Sequence, residues 1–187
     1  QIIENTLQLS RRSEPEIEEV SLSTWIEKII HEYLMHQDSN ARIKLIVVNS
    51  ELTARFDPSQ MEQVLVNLIH NATQALQQQA IDQQTLLQQT TVQQTADQQA
   101  IPQIGVEWQL HEDMCQVIIW DNGIGMSADK LEQLFDPFFT TKPEGLGLGL
   151  SISKRIIEAY DGSISATLLE PTGMVFSLNI PLYKVND

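Results

Sequence analysis

The chain has 187 residues, of which 42% are hydrophobic, a length and composition that suit one ordinary domain with a real core and a short appendage. Its 11 Lys and Arg against 25 Asp and Glu give a formal net charge of -14, which argues against a surface for nucleic acid or anionic membrane. The single cysteine, Cys115, excludes an intramolecular disulfide and a cysteine-based zinc cluster, and no apolar stretch approaches the roughly 18 residues of a membrane span.

Two helical patterns and one strand are predicted in the first quarter of the chain. Residues 1–14 have a loose helical pattern that ends in two arginines, which predicts the end of a longer helix and a linker. Because this pattern is already under way at the first residue, we expect the chain to be an excised fragment. In residues 22–34 apolar side chains recur every three or four positions, which predicts an amphipathic helix. Residues 43–48 predict a strand.

A second, longer helix begins after residue 56. Asp57 is a good N-cap, proline follows in the first helical position, and Gln60 could complete a capping box. One face of this helix is apolar, with Met61, Val64, Leu65, Leu68, Ala72, Ala75 and Leu76. The opposite side carries four amides: Gln63, Asn67, Asn71 and Gln74. They could form an ordinary solvated face, but asparagine is a poor helix former, and an amide oxygen is a fair ligand for Mg²⁺.

Residues 77–103 differ in composition from the rest of the chain. A Gln-Gln pair begins at positions 78, 83, 88, 93 and 98, which gives a period of five residues. A period of five builds no single buried face on a regular helix or strand, so this segment predicts a solvent-exposed insertion. A role in binding a partner is the alternative.

An acidic residue and two glycines follow the next pair of predicted strands. Residues 104–110 alternate between apolar and polar, and we expect them to pair with the apolar run of residues 115–120. Asp121 ends that run, and Gly123 and Gly125 allow the chain to turn or to pass close to a flat ligand. An ionised carboxylate only accepts hydrogen bonds, so Asp121 suits the exocyclic amine of adenine and would repel a phosphate.

A second glycine cluster opens the predicted helix of residues 151–160. Gly145, Gly147 and Gly149 alternate with leucines there. Bare backbone N–H groups at a helix N-terminus form a site for phosphate oxygens. The loop of residues 136–144, called the lid loop below, is aromatic at one end and carries Lys142 at the other, and such a loop can close over a ligand. Either glycine cluster alone could be a structural turn, but the two together predict a nucleotide pocket.

The last part of the chain completes the prediction of the fold. A short helix is expected from Ser127 through Leu134, and Asp161-Gly162 ends the helix that follows the glycines. Residues 164–168 and 174–180 alternate around a Pro-Thr-Gly turn and predict a hairpin. Strands concentrated in the second half, with helices between them, predict an α+β fold in which helices cover one face of a mixed sheet.

Four motifs, taken in order, resemble a known family. Asn67-Leu-Ile-His-Asn71-Ala, Asp121-x-Gly-x-Gly, Phe135-Asp-Pro-Phe-Phe-Thr-Thr-Lys and Gly145-Leu-Gly-Leu-Gly are similar to its N, G1, F and G2 boxes. The family is the catalytic ATP-binding domain of bacterial two-component sensor histidine kinases, which share a superfamily with gyrase, the heat-shock chaperone and mismatch-repair ATPases. The likeness covers residues 20–183 without the glutamine segment and is nearest to the nitrogen-regulation and type IV pilus kinases.

The resemblance implies a two-layer α/β sandwich of the Bergerat type, with residues 1–14 as the end of a dimerisation helix and linker. It implies that residues 15–187 form the catalytic domain, with residues 77–103 inserted. ATP and Mg²⁺ are the implied cofactors. Asn71 would hold the metal, Asn67 would support it, and Lys142 would contact phosphate, so these three are the implied catalytic residues. Further nucleotide contacts are implied at Asp121, Gly123, Gly125, Met126, Phe135, Thr140, Thr141, Gly145, Leu146, Gly147, Leu148, Gly149 and Leu150.

The resemblance also implies how the chain works with its partners. None of the four histidines has the sequence context of the family's phosphoacceptor, so the γ-phosphoryl group would pass to a histidine on a separate dimerisation domain of a homodimeric parent. A response regulator would receive it next. Related hydrolases have a water-activating glutamate where this chain has Asn67. The replacement suits a kinase, because its nucleophile is a histidine and not water. A cytoplasmic location is implied, with any membrane anchor upstream. A nucleotide-sensing module without catalysis and a gyrase-like ATPase are the alternatives.

Overall fold

The structure, a computed structural model, describes residues 15–35, 42–47, 52–89, 101–142 and 145–181. Seven strands and four helices lie in these ranges. In chain order they are β1 (Glu18–Ser21), α1 (Leu22–Met35), β2 (Arg42–Val47), β3 (Thr53–Phe56), α2 (Pro58–Gln89), β4 (Gln103–His111), β5 (Met114–Asp121), α3 (Ala128–Leu131), α4 (Gly149–Ala159), β6 (Ser163–Leu168) and β7 (Met174–Pro181). The helix predicted for residues 1–14 lies outside the described residues.

Five strands form the main sheet in the order β2-β4-β5-β7-β6. β2 runs parallel to β4, while the other neighbouring strands are antiparallel, so the sheet is mixed as predicted. The predicted pairing of β4 with β5 and the C-terminal hairpin of β6 and β7 are confirmed. A separate two-stranded sheet pairs β1 with β3.

One face of the main sheet forms the core, and the other carries a row of polar side chains. Buried residues alternate along β5 and β7, as expected when only one face is covered. Helices α2 and α4 pack together and against the strands on the covered side, which confirms the α+β two-layer sandwich. On the opposite face, hydrogen bonds join Gln109 to Gln116, Gln116 to Asn179, and Asn179 to Ser163, across four strands.

The start of α2 confirms one part of the prediction and corrects another. Asp57 caps the helix, since its Oδ1 accepts from the backbone N–H groups of Ser59 at 2.9 Å and Gln60 at 3.3 Å. The predicted capping box is wrong in its second half. The Gln60 side chain accepts from the Tyr160 hydroxyl at 2.9 Å, and the backbone N–H of Asp57 donates to that same hydroxyl at 3.2 Å. A tyrosine from α4 therefore replaces the expected reciprocal bond and ties the two helices together.

The far end of α2 extends beyond the predicted apolar face. That face ends at Leu76, but the helix continues to Gln89 through the first half of the glutamine-rich segment. The side chains of residues 80–85 are exposed, as predicted, so this part of the helix projects without a buried face. The rest of the segment, residues 90–100, lies outside the described residues. Helix α3 is also shorter than predicted and ends at Leu131 instead of Leu134.

Candidate functional site

Asp121 is the last residue of β5 and, with Asp57, one of two buried carboxylates among the residues that the structure describes. It is 2% exposed, and its Oδ1 accepts from the backbone N–H of Gly123 at 2.9 Å. Burial raises its pKa to about 6, against the opposing effects of backbone hydrogen bonds from Gly123 and Met174 and the charge of Lys142. A carboxylate has about four lone-pair positions, and two backbone donors leave room for another. The site therefore fits a ligand that presents an N–H donor, as adenine does.

Backbone close packing surrounds Asp121. A Cβ on Gly123 would lie 2.8 Å from the Cβ of Ala75 on α2, so the turn after β5 lies directly against that helix. Gly173 has φ +123°, and a Cβ there would overlap the carbonyl oxygen of Asp121. Gly125, with φ +63°, lies against Gly173 in turn. The predicted glycines are thus needed here, and Gly173 is a further member that the spacing of the motif did not indicate.

Asn67 lies on α2 and is fixed by the start of α4. Its Nδ2 donates to the Ser153 hydroxyl at 2.9 Å, and Ser153 is only 1% exposed. A Cβ on Gly149 would come within 2.5 Å of the Asn67 Oδ1, so this glycine allows the amide to approach the helix start. Ser153 was not predicted as a site residue from the sequence. A hydroxyl among the apolar positions of α4 was the available signal, because buried polar groups require partners.

Asn71 and Lys142 are in direct contact, although 71 residues separate them in the chain. The Lys142 Nζ donates to the Asn71 Oδ1 at 3.0 Å and also to the Gln74 Oε1. Burial lowers the pKa of Lys142, while the charge of Asp121 acts in the opposite direction. The structure therefore brings together the predicted metal-binding amide and the predicted phosphate contact on the amide face of α2.

Hydrogen bonds hold the described part of the lid loop, which reaches to Lys142. The backbone N–H of Lys142 donates to the Thr140 hydroxyl at 3.1 Å, and Gly145 N–H donates to the Lys142 carbonyl at 3.2 Å. Phe138 N–H donates to the carbonyl of Gly147 at 2.9 Å. Gly147 has φ +66°, and a Cβ there would overlap the backbone of Phe138. The glycine cluster therefore lets the two ends of the lid loop meet.

The other predicted contacts divide into packed and exposed groups. Met126, Phe135 and Leu150 are partly buried against the core, and the Lys154 ammonium lies 5.9 Å from the centre of the Phe135 ring. Leu148 is also partly buried. Thr141 and Leu146 are exposed, Leu146 by 55%, and neither takes part in the contacts described above.

The donor set agrees with Mg²⁺. Among the described residues no group of three or more His, Cys, Asp or Glu could hold a metal. The Asn71 Oδ1 is a hard oxygen donor, and Mg²⁺ commonly takes one or two protein oxygens while phosphates and waters complete its shell. The residues present thus fit a metal that a nucleotide brings with it.

The fold and the site together define a class of protein. They combine a sandwich of helices on a mixed sheet, a buried acid at the end of β5, amides on α2, and glycines at the start of α4. Residues 56–184 match the family described as histidine kinase-, DNA gyrase B-, and HSP90-like ATPase, and the chain belongs to that family. Membership implies that it binds ATP. No helix among the described residues is long and apolar enough to cross a membrane.

Similar proteins narrow the class to sensor histidine kinases, as the sequence motifs predicted. The chain is 30% identical to the sensor protein kinase PilS of Pseudomonas aeruginosa over 177 residues, which are 95% of this chain. It is 31% identical to AtoS and 31% identical to ZraS of Escherichia coli, over 97% of this chain in each case. The chain spans 30%, 26% and 34% of these three relatives, which is between a quarter and about a third of each.

Solved structures agree with this narrower class. The catalytic domain of the histidine kinase ThkA matches with a TM-score of 0.68 and 27% identity, over 89% of this chain and 95% of that one. Full-length ShkA in complex with AMPPNP has a TM-score of 0.72 at 18% identity, over 100% of this chain and 36% of that one, which supports the fold alone.

Proposed function

We propose that this chain is the Mg·ATP-binding catalytic domain of a sensor histidine kinase. It transfers the γ-phosphoryl group to a histidine on a separate dimerisation domain of a homodimeric parent, for relay to a response regulator. Residues 1–14 would be the end of a dimerisation helix and a linker, and residues 15–187 would be the catalytic domain. The family match and the kinase relatives support this proposal. A structure of ThkA in complex with the response regulator TrrA supports the choice of partner.

The observation that carries the proposal is that α2 joins both halves of the site. Gly123, two residues after the buried acid, packs on Ala75, while Asn71, one turn earlier on the same helix, contacts Lys142. A ligand with a donor at one end and negative charge at the other can therefore bind along a single helix. Adenine and the triphosphate of ATP have that distribution.

At the adenine end, Asp121 would accept from the exocyclic amine. The bond is selective because guanine and hypoxanthine present a carbonyl oxygen at that position, which a carboxylate repels. Met126 and Phe135 would contact the base through apolar surface, and their partial burial leaves such surface available.

At the phosphate end, Asn71 would hold Mg²⁺ and Lys142 would contact the phosphates. Bound there, the metal would neutralise negative charge on the phosphates. The backbone N–H groups at the start of α4, exposed by Gly147 and Gly149, would receive phosphate oxygens. With a net charge of -14 on the chain, these local donors supply the attraction that the overall charge does not.

Asn67 favours transfer to histidine over hydrolysis. Its amide donates to Ser153 and faces Gly149, so its orientation is fixed. An amide does not accept a proton from water near neutral pH, so Asn67 cannot act as a general base. A kinase uses the histidine of its partner as nucleophile, and a base that activated water would waste ATP.

Calorimetry and phosphotransfer test the proposal. The chain should bind Mg·ATP and should label a supplied dimerisation hairpin from radioactive ATP, with no acid-labile phosphate on the chain itself. Asn71→Ala should abolish both Mg²⁺-dependent binding and labelling. ATP binding without labelling would favour a non-catalytic nucleotide sensor, and steady ATP turnover by the chain alone would favour a gyrase-like ATPase. Absence of ATP binding would refute the proposal and both alternatives.

A further inference from the structure

The ammonium of Lys142 is held by two amide oxygens from one helix face. Its Nζ donates to the Asn71 Oδ1 at 3.0 Å and to the Gln74 Oε1. Asn71 and Gln74 are three residues apart on α2, so their side chains lie side by side. The hydrogen bonds of Thr140 and Gly145 to the Lys142 backbone fix the point from which the side chain extends.

The Asn71 Oδ1 cannot bind the Lys142 ammonium and a metal ion at the same time. If the Asn71 Oδ1 binds Mg²⁺, an ammonium at the same oxygen would place a single and a double positive charge within a few ångströms of each other. Their repulsion is large in a partly buried site, where solvent screens little. Lys142 must then leave Asn71, and Gln74 is the acceptor that remains.

The chemistry of Gln74 suits that task. Its oxygen accepts from the ammonium without cancelling the charge that phosphates require. A carboxylate at this position would hold Lys142 more tightly but would repel phosphate, and a basic residue would repel Lys142 itself. A neutral acceptor on a side chain that is one carbon longer than asparagine can reach the ammonium without entering the metal position.

We propose that Gln74 is a positioning residue that keeps the Lys142 ammonium beside the phosphates when Mg²⁺ occupies Asn71. It acts through Lys142 and not on the nucleotide directly. The inference rests on the proposed function, because it assumes that Asn71 binds the metal and that Lys142 contacts phosphate. The metal and the lysine would then bind two neighbouring amide oxygens on α2, the metal that of Asn71 and the lysine that of Gln74.

A double-mutant cycle with Mg²⁺ and a non-hydrolysable ATP analogue tests the proposal by calorimetry. Gln74→Leu should weaken binding about five- to tenfold, less than the loss of a direct hydrogen bond to a charged group, because Gln74 acts on the nucleotide only through Lys142. In a Lys142→Met background the same change should have no further effect, because the group that Gln74 positions is gone. Gln77→Leu, an exposed glutamine one turn further along α2, is the matched control and should leave affinity unchanged. Equal losses in both backgrounds would overturn the inference.

A second measurement does not depend on nucleotide. Trace acetylation of the chain, followed by mass spectrometry of the peptide that contains Lys142, reports how firmly its amine is held. In an Asn71→Ala background, which removes the other acceptor as the metal would, Gln74→Leu should raise the acetylation rate of Lys142 several-fold, and Gln74→Glu should keep it slow. An acetylation rate that Gln74→Leu leaves unchanged in that background would overturn the inference alone. A wild-type chain that binds no nucleotide would overturn the proposed function as well.

Discussion

The two ends of the site are built from different kinds of contact. Around Asp121 the backbone is closely packed: Gly123 lies against Ala75 of α2, and Gly173 lies against the Asp121 carbonyl with no room for a Cβ. Around Lys142 the contacts are hydrogen bonds of side chains, to Asn71, Gln74 and Thr140, on a loop whose neighbouring residues are partly exposed.

This difference shows how one site can be both selective and adjustable. Close-packed backbone transmits strain and cannot shift without cost, so the adenine end is preorganised. Hydrogen bonds at a partly exposed surface contribute little net free energy and can be exchanged for bonds to a ligand. We therefore expect changes at the adenine end to affect folding and recognition together, and changes at the lid loop to affect binding alone.

The largest effect should come from adding one methyl group at the adenine end. Gly173→Ala forces a Cβ toward the Asp121 carbonyl at φ +123°, so it should lower the free energy of unfolding by about 2–4 kcal/mol. The same change in Gly145→Ala meets the side chain of Thr140, which can rotate, and should cost less than about 1 kcal/mol. Urea titration of both variants measures the contrast. Equal destabilisation would show that the two ends do not differ in rigidity.

The next effect concerns recognition of the base. Asp121→Asn replaces an acceptor-only group with one that also donates, so affinity for Mg·ATP should fall about 10- to 100-fold, as expected for one charged hydrogen bond. Preference for ATP over GTP should fall with it. Asp129→Asn, an exposed acid on α3, is the matched control. Calorimetry with ATP and GTP measures this preference. If Asp121→Asn retained the preference for ATP, another group would have to recognise the base.

Although Asp121→Asn should weaken nucleotide binding, it should increase the stability of the folded chain, and the size of this increase should depend on pH. Burial raises the pKa of Asp121 from 3.8 to about 6, with Lys142 as the charged group that opposes the shift. From pH 4 to 6 the unfolded chain has released this proton and the folded chain has not, so the contribution of Asp121 to wild-type stability falls as pH rises. Above pH 6 the cost is complete, roughly 2–3 kcal/mol at 1.36 kcal/mol per pKa unit.

Asp121→Asn lacks that titration. Its stability relative to wild type should therefore rise between pH 4 and pH 6 and stay constant above that range. The comparison isolates Asp121 because all other acids titrate equally in both chains. Thermal or urea unfolding at pH 4, 5, 6 and 7 measures it, and a difference that does not change with pH would contradict the burial of a charged group there.

The smallest effect is expected in the lid loop. Thr140→Val removes the hydroxyl that accepts from the Lys142 backbone at 3.1 Å. Stability should change by less than about 0.5 kcal/mol because the bond is exposed, while affinity for Mg·ATP should fall two- to threefold as the loop becomes less ordered. Thr140→Ser keeps the hydroxyl and should behave as wild type in the same calorimetric assay. A Thr140→Val chain that unfolds much more easily would place this loop in the rigid part of the molecule.

Much of the fold was predictable from the periodicity of apolar residues, and there are physical reasons why β1, β3 and the end of α2 were not. The covered sheet face and the apolar stripe of α2 were predictable because burial repeats with the period of each element. Strands β1 and β3 were missed because each has only four residues, and charged side chains such as Glu18, Glu19 and Arg55 occupy their exposed positions. The path of α2 beyond Leu76 was not predicted because no apolar period marks this stretch, in which the described side chains of residues 80–85 are exposed.

The candidate site was predictable in its motifs but not in its contacts. Asp121, Asn71 and the glycines stand in recognisable spacing, whereas the Lys142 contact with Gln74 joins segments 68 residues apart. Ser153 was predicted only as part of a helix and Gly173 only as part of a hairpin turn, and their contacts with Asn67 and Asp121 depend on how α4 and β7 pack. Tyr160 replaced the expected capping bond for the same reason, because a tertiary partner competed with a local one.

A crystal structure with Mg²⁺ and a non-hydrolysable ATP analogue tests the central claim most directly. We expect the adenine amine within hydrogen-bond distance of the Asp121 carboxylate, the metal on the Asn71 Oδ1, and the Lys142 ammonium between a phosphate and Gln74. A nucleotide bound away from α2, or one whose base lies far from Asp121, would contradict the account.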